Sequence, residues 1–338
     1  MSLFPAARDR ALGAFHGLAL GDALGMPTQS LSREQIHTRY GHIEGLIDAD
    51  DDQPIAPNMP AGAITDDTEQ AILVGELLVE GQGRIAPTDL AQRLIDWEAV
   101  MRAKGSQDLL GPSTKRAIEM ILAGASPEQA GRFGTTNGAA MRITPVGIAA
   151  DVRDHEHFMA QVLQACQVTH NTGLGIASAA AVAAVVSAGI NGDDLTSALA
   201  LGIEAAREGQ KRGHWVAGGN IAARIEWSAR LCDATSPDAL PGLIYEVIGT
   251  SVASQESVVA AFALARAVAN GQLTPYQALC MAASLGGDTD TIAAVLGAML
   301  GATHGLEAWP SAALAQVCAV SQIDLAPLTD QLLALRTT

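Results

Sequence analysis

The sequence predicts an all-α chain folded as one domain over residues 1–338, and three observations predict it. Apolar residues recur at helical spacing along nearly the whole chain. No run of alternating β-branched and polar residues bounded by tight-turn pairs is present. No Pro- or Ser-rich linker, charge block or fixed-period repeat divides the chain.

The elements follow in order. A helix is expected over 5–25. The next starts at Asp66, where Ile72, Leu73, Leu77 and Leu78 share one face and Glu69, Glu76 and Glu80 lie off it. Between them, residues 48–62 (DADDDQPIAPNMPAG) hold three prolines and form the longest non-helical stretch, and long loops in compact domains are often functional. Helices are further expected over 87–103, 113–123, 126–132, 155–169, 173–189, 193–209, 214–231, 238–248, 251–270, 274–284 and 325–336. Another follows Asp290, with Ile292, Val295, Leu296, Met299 and Leu300 on one face. Residues 158–192 contain no Asp, Glu, Lys or Arg. Their centre, GIASAAAVAAVVSAGI, is Ala-rich and shorter than the roughly 20 residues of a membrane span, so it reads as a buried core helix.

Composition narrows the function. Apolar residues make up 49% of the chain and aromatics only 4%, so Ala, Val, Leu and Ile build the core, and 34 glycines suit closely packed helices. The net charge of −16 argues against nucleic acid, which selects basic surfaces, and against anionic membranes. Cys166, Cys232, Cys280 and Cys318 are widely spaced with no C-x-x-C pair. That is neither a disulfide framework nor a zinc signature; reduced thiols in the cytoplasm are expected. Asp22 interrupts the weakly apolar N-terminal stretch, which is therefore not a secretory signal.

Two acidic helix starts carry the chemistry. In AGAITDDTEQAILVGELL, Asp66 can cap the helix with Glu69 three residues on, as in a capping box. In SLGGDTDTIAAVLGAML, Gly286 and Gly287 permit a sharp turn before Asp288 and Asp290. Either alone is consistent with ordinary capping of exposed N–H groups. Together they place four carboxylates and two Thr hydroxyls ahead of strongly apolar helices. Burying a carboxylate costs several kcal/mol unless it is paired or metal-bound. Lys and Arg are lacking near both motifs. A metal site of Thr65, Asp66, Asp67, Asp288, Asp290 and Thr291 follows. Its oxygen-only donors favour Mg2+, Mn2+ or Ca2+ over Zn2+ or Cu2+. Four carboxylates suit two dications, which together orient a substrate and activate water.

These motifs resemble those of the ADP-ribosylglycohydrolase family, in the family's order and over nearly the whole chain. The stretch Gly17–Gly25 (GLALGDALG) is similar to its first helix, and Thr65-Asp66-Asp67-Thr68 to its first metal motif. Thr136-Asn137-Gly138-Ala139-Ala140-Met141-Arg142 resembles its ligand loop, Thr169-His170 its Thr-His or Ser-His site, and Leu285–Thr291 (LGGDTDT) its second metal motif. The resemblance implies an all-α fold and two Mg2+ or Mn2+ ions. It also implies an ADP-ribosyl or related riboside ligand, free or protein-attached, hydrolysed at an N- or O-glycosidic bond to ribose C1. It implies ligand contacts from Thr136, Asn137, Gly138, Met141, His170 and Gly287.

One departure matters. Four residues after the opening G-D-A-L-G motif, where the family commonly has Glu near the scissile bond, this chain has Gln29. A Gln can hydrogen-bond a hydroxyl but cannot take a proton at neutral pH. Asp67, beside a metal-bound water, then becomes the catalytic carboxylate. Asp108 aligns with an Asp that assists ribose ring opening in some members. The alternative is a chain that binds ADP-ribose or a nucleotide with altered or lost catalysis. A third reading, a two-metal phosphoesterase, fits the donor set equally well.

Other residues carry less. Without the resemblance, Asn137-Gly138 reads as a turn, and the loop around it can also offer N–H groups to a diphosphate. Arg142 is expected to hold the fold together. No G-x-x-x-x-G-K-S/T loop or G-x-S-x-G elbow is present, which argues against ATP hydrolysis and serine-ester chemistry.

Overall fold

The computed structural model describes residues 4–103 and 110–336. Among these, helices are the only regular elements, with no strand and two isolated bridges, Thr136 to Ala253 and Thr172 to His214. Six helices position the site: α1 (Phe4–Gly25), α2 (Asp66–Glu80), α3 (Gly173–Ile190), α4 (Ser254–Ala269), α5 (Pro275–Ala283) and α6 (Thr289–His304).

α3 is the central rod. Every one of its residues is buried. Its length and hydropathy match a membrane span, yet it is enclosed on all sides by the other helices. Thr172 starts it by accepting a hydrogen bond from Gly175 N. One continuous apolar cluster surrounds it, reaching from Ala11 to Leu333.

α1 and α6 touch backbone to backbone. Glycines recur every fourth residue on α1, at Gly13, Gly17, Gly21 and Gly25, forming one stripe. A Cβ at Gly13 would lie 2.6 Å from Gly301 O, and one at Gly17 or Gly21 would collide with the α6 carbonyls of Gly297 or Ala293. At Gly25 the obstacle is the Asp290 backbone itself. The stripe therefore sets the C-terminal end of α1 beside the second acidic motif.

Several element boundaries differ from the sequence reading. The helix expected over 214–231 starts only at Ile221, where the Asn220 side chain accepts from Ala223 N. The preceding residues instead pair with the start of α3, through His214 N to Asn171 O and Gly173 N to His214 O. The segment over 238–248 is one α-turn, Leu240–Leu243, followed by a wider π-helical turn, Ile244–Ile248. Three further helices of six residues or more lie outside the expected ranges, Arg33–Tyr40, Thr144–Ala149 and Ser311–Ser321; neither Arg33–Tyr40 nor Ser311–Ser321 has a strong apolar stripe to announce it. The first buries only Ile36, but Ser32 and Gln35 cap it reciprocally. Residues 48–62 contain no helix and are tied by Ala49 N to Met59 O and by Ala61 N to the Asp48 carboxylate.

Candidate active site

The first acidic motif is held from outside its own helix. Thr65 is the cap residue of α2, and Asp66 is its first helical residue, so the expected capping box does not form. Glu69 instead accepts from the indole of Trp97. The cap comes from Asp22 of α1, whose carboxylate accepts from Thr65 N, from Thr65 Oγ1 at 2.7 Å, from Thr68 N at 3.1 Å and from Thr68 Oγ1. Thr65 spends its single hydroxyl proton on Asp22, so only its lone pairs remain to face a cation.

The second motif turns through Gly286 and Gly287, at φ +89° and +81°, a conformation in which a side chain is strained. Asp288 N donates to Thr250 O, and Ser30 N to Gly287 O, fixing the turn on both sides. The Asn137 amide donates to Asp288 and to Ser257 Oγ. Thr291 Oγ1 donates to Asp67 Oδ2 at 3.2 Å, joining the two helix starts.

A cleft of about 280 Å3 opens at this junction. Gln29, Asp66, Thr136, Asn137, Gly138, Met141, Asp288, Asp290 and Thr291 line it, together with Ser30, Ile55 and Leu110. Thr65 and Asp67 are buried next to that lining. Gly287 and His170 do not reach the cleft wall. A Cβ on Gly287 would meet Thr250, and His170 is wholly buried with its Nε2 3.0 Å from Thr136 Oγ1. Asp108 lies outside the described residues.

The ligand loop is braced. Asn137 N donates to Val252 O, and Thr136 N lies 3.4 Å from Ser113 Oγ, so these two groups are already engaged.

The electrostatics favour a cation. Burial, then the fields of Asp290, Asp66, Asp22 and Asp288, push the Asp67 carboxyl well above the usual range. Burial holds Asp288 and Asp22 up at about 6, against the hydrogen bonds that stabilise their charge. Asp67 Oδ1 is buried without a donor. Among the described residues, no three Asp, Glu, His or Cys side chains group tightly enough to hold an ion by themselves. Mg2+ is commonly bound by one or two carboxylates and keeps several waters, so carboxylates with Thr65, Thr291 and water fit it.

Behind the cleft runs a buried relay. Arg142, expected to be structural, is wholly buried and donates to Gln70 Oε1 and to Thr169 Oγ1. Gln70 in turn donates to Asp66. Burial lowers the Arg142 guanidinium to about 10, which leaves it charged. Burial, then Arg142, push the His170 imidazole well below its ordinary value, so it is neutral. Arg has no acceptor, so Thr169 accepts from it and gives its own proton to His170 Nδ1, 2.7 Å away. Nε2–H then donates to Thr136 Oγ1. The Thr136 hydroxyl proton remains available to the cleft.

The sequence reading missed Asp22 as a member of this site. Its signal was a lone carboxylate inside the apolar run GLALGDALG.

Comparison with known proteins identifies the family. Residues 4–338 match the ADP-ribosylglycohydrolase family. The chain is 32% identical to YegU, an uncharacterised protein of Escherichia coli K12, over 94% of both chains. It is 27% identical to the ADP-ribosyl-dinitrogen-reductase glycohydrolase of Rhodospirillum rubrum over 98% of both. A solved ADP-ribosylglycohydrolase-related protein complex superposes with a TM-score of 0.72 at 25% identity, covering 97% of this chain and 98% of that one. A family match over nearly the whole chain, on an all-α fold shared with a solved relative, means that the chain belongs to the ADP-ribosylglycohydrolase family, whose members hydrolyse ADP-ribosyl linkages.

Proposed function

We propose that this chain hydrolyses the N- or O-glycosidic bond at C1 of the ribose in an ADP-ribosyl or related riboside substrate. Two Mg2+ or Mn2+ ions would be held by Thr65, Asp66, Asp67, Asp288, Asp290 and Thr291. The observation that carries this reading is the meeting of both acidic helix starts at one cleft, with the donor-less Asp67 Oδ1 buried beside its lining. Bound there, the ions would orient ribose hydroxyls and activate a water.

The chain's own groups divide the remaining work. The Gln29 amide nitrogen is buried without an acceptor in a residue lining the cleft, and it donates to a substrate hydroxyl. Asp67 takes the proton of the attacking water, because Gln29 cannot. Thr136, polarised through His170, donates to a second substrate oxygen. Asn137 holds Asp288 in place. The name of the Rhodospirillum rubrum relative favours a protein-attached ADP-ribosyl group.

Chromatographic product analysis tests this on ADP-ribosyl-arginine, ADP-ribosyl-serine and plain nucleosides, with Mg2+, Mn2+ or excess chelator. Ribose C1 cleavage that requires metal, and that Asp66→Ala and Asp290→Ala abolish, is expected. Full turnover in chelator refutes the metal requirement, and release of AMP or phosphate instead indicates phosphoester chemistry. Gln29 favours a second reading, in which ADP-ribose binds without turnover. Thermal stabilisation by ADP-ribose with no product from any riboside would establish it.

A further inference from the structure

A second cavity, larger than the acidic cleft, lies away from the acidic helix starts. A groove of about 920 Å3 lies between the Arg33–Tyr40 helix, α5 and the π-helical turn Ile244–Ile248. Ligand sites commonly fall between about 300 and 1,000 Å3. Ile36, Ile43, Leu273 and Met281 give it an apolar lining, and Tyr245 and Tyr276 add aromatic surface. The π-helical turn carries Tyr245 and Glu246, and such turns recur at functional sites.

Charge and connectivity limit what fits there. Glu34, Glu44 and Glu246 line the groove and are exposed. None of the three is ion-paired among the described residues, and Arg33 is the only Lys or Arg in the lining. An occupant with apolar bulk and positive charge complements this surface. The groove also shares two segments with the cleft. Ser30 lines the cleft and Arg33 the groove; Ser284 lines the groove and Asp288 the cleft. Four residues of chain span at most roughly 14 Å, so the two linings lie within reach of a short extended peptide.

We propose that this groove seats the basic, apolar polypeptide segment flanking the ADP-ribosylated side chain, about four residues from the modified position. This rests on the cleft being the hydrolytic site and adds that the substrate is a protein recognised through its sequence. Exposed carboxylates supply attraction that weakens with salt, and the apolar lining and tyrosines supply the contact area.

Fluorescence anisotropy on the full chain tests it. The probes are two fluorescein-labelled ten-residue peptides, one of Leu, Lys and Arg and the other of Leu, Asp and Glu. The variant is the triple reversal Glu34→Lys, Glu44→Lys and Glu246→Lys, all at exposed positions outside the cleft. The basic peptide is expected to bind the wild type, to lose at least tenfold in affinity in the variant, and to outbind the acidic peptide. With an ADP-ribosyl-arginine peptide of the basic composition, KM should rise in the variant at constant kcat, while turnover of ADP-ribosyl-arginine alone stays unchanged. Equal affinity in wild type and variant, or equal affinity for both peptides, overturns the proposal. If the wild type turns over no riboside, the hydrolytic reading of the cleft fails, and the binding measurement alone still decides the groove.

Discussion

His170 should give the chain a pH-dependent stability of predictable sign. Its imidazole is wholly buried and neutral, held well below its ordinary value by burial and then by Arg142. In the unfolded chain it titrates near about 6.5. Above that pH both states are neutral and the full native stability is present. As pH falls, the unfolded state gains a proton that the native state refuses. Stability is therefore lost progressively from about 6.5 down to the depressed native value. At pH 5.5 the unfolded state is favoured by about 1.4 kcal/mol relative to pH 7.5. His170→Gln removes this titration and leaves the carboxylates in place. Its stability deficit against the wild type should therefore shrink by about 1.4 kcal/mol between pH 7.5 and 5.5. Near the melting temperature, 338 residues carry an unfolding entropy of about 0.7 kcal/mol per kelvin, so the gap in Tm should narrow by about 2 °C. Calorimetry of both proteins at the two pH values measures it. A constant gap would mean that His170 takes up its proton as readily in the native state as in the unfolded chain, and a widening gap that it is already protonated at pH 7.5; in either case the proton assignment from Thr169 to Thr136 would fall.

Three further outcomes are expected. Asp22→Ala removes the carboxylate that orients the Thr65 hydroxyl and the first N–H groups of α2, so the rise in Tm on adding excess Mg2+ should shrink to less than half of the wild-type rise; an equal rise would show that Thr65 needs no such orientation. Gln29→Glu places a second carboxylate at the cleft beside Asp67, and general-base catalysis contributes about 10²- to 10⁴-fold, so metal-dependent riboside hydrolysis should rise at least tenfold; unchanged turnover would leave the proton transfer wholly to Asp67. Gly287→Ala introduces a side chain at φ +81° and a Cβ about to strike Thr250, whereas Gly271→Ala, at φ +71°, meets nothing within 4 Å. Left-handed strain alone costs about 1–2 kcal/mol, so both should lower Tm by roughly 1.5–3 °C, and Gly287→Ala should fall further and weaken Mg2+ binding; equal losses would exclude the Thr250 contact.

The sequence by itself determined the helical class, most of the helices and the two acidic helix starts. These are local properties: the apolar period along α2 and α6, the run of small residues in α3, and Gly286-Gly287 ahead of Asp288. The motif resemblance also located Gln29, Thr136, Asn137, Gly138 and Met141, all of which meet at the cleft. Where a helix was announced by capping rather than by periodicity, as at Ser32 and Asn220, its presence or its start was misread. Only the tertiary structure decided how the motifs are held. Asp22 reaches Thr65 and Thr68 because the glycine stripe of α1 lets it lie directly on α6, and that depth of approach is not encoded in spacing alone. His170 lies behind Thr136, and Arg142 joins Thr169 to Gln70, because a buried polar group must take whatever partner the packing brings to it. The residue types were visible along the chain, whereas their pairing across α1, α2, α3 and α6 was set by how closely those helices approach.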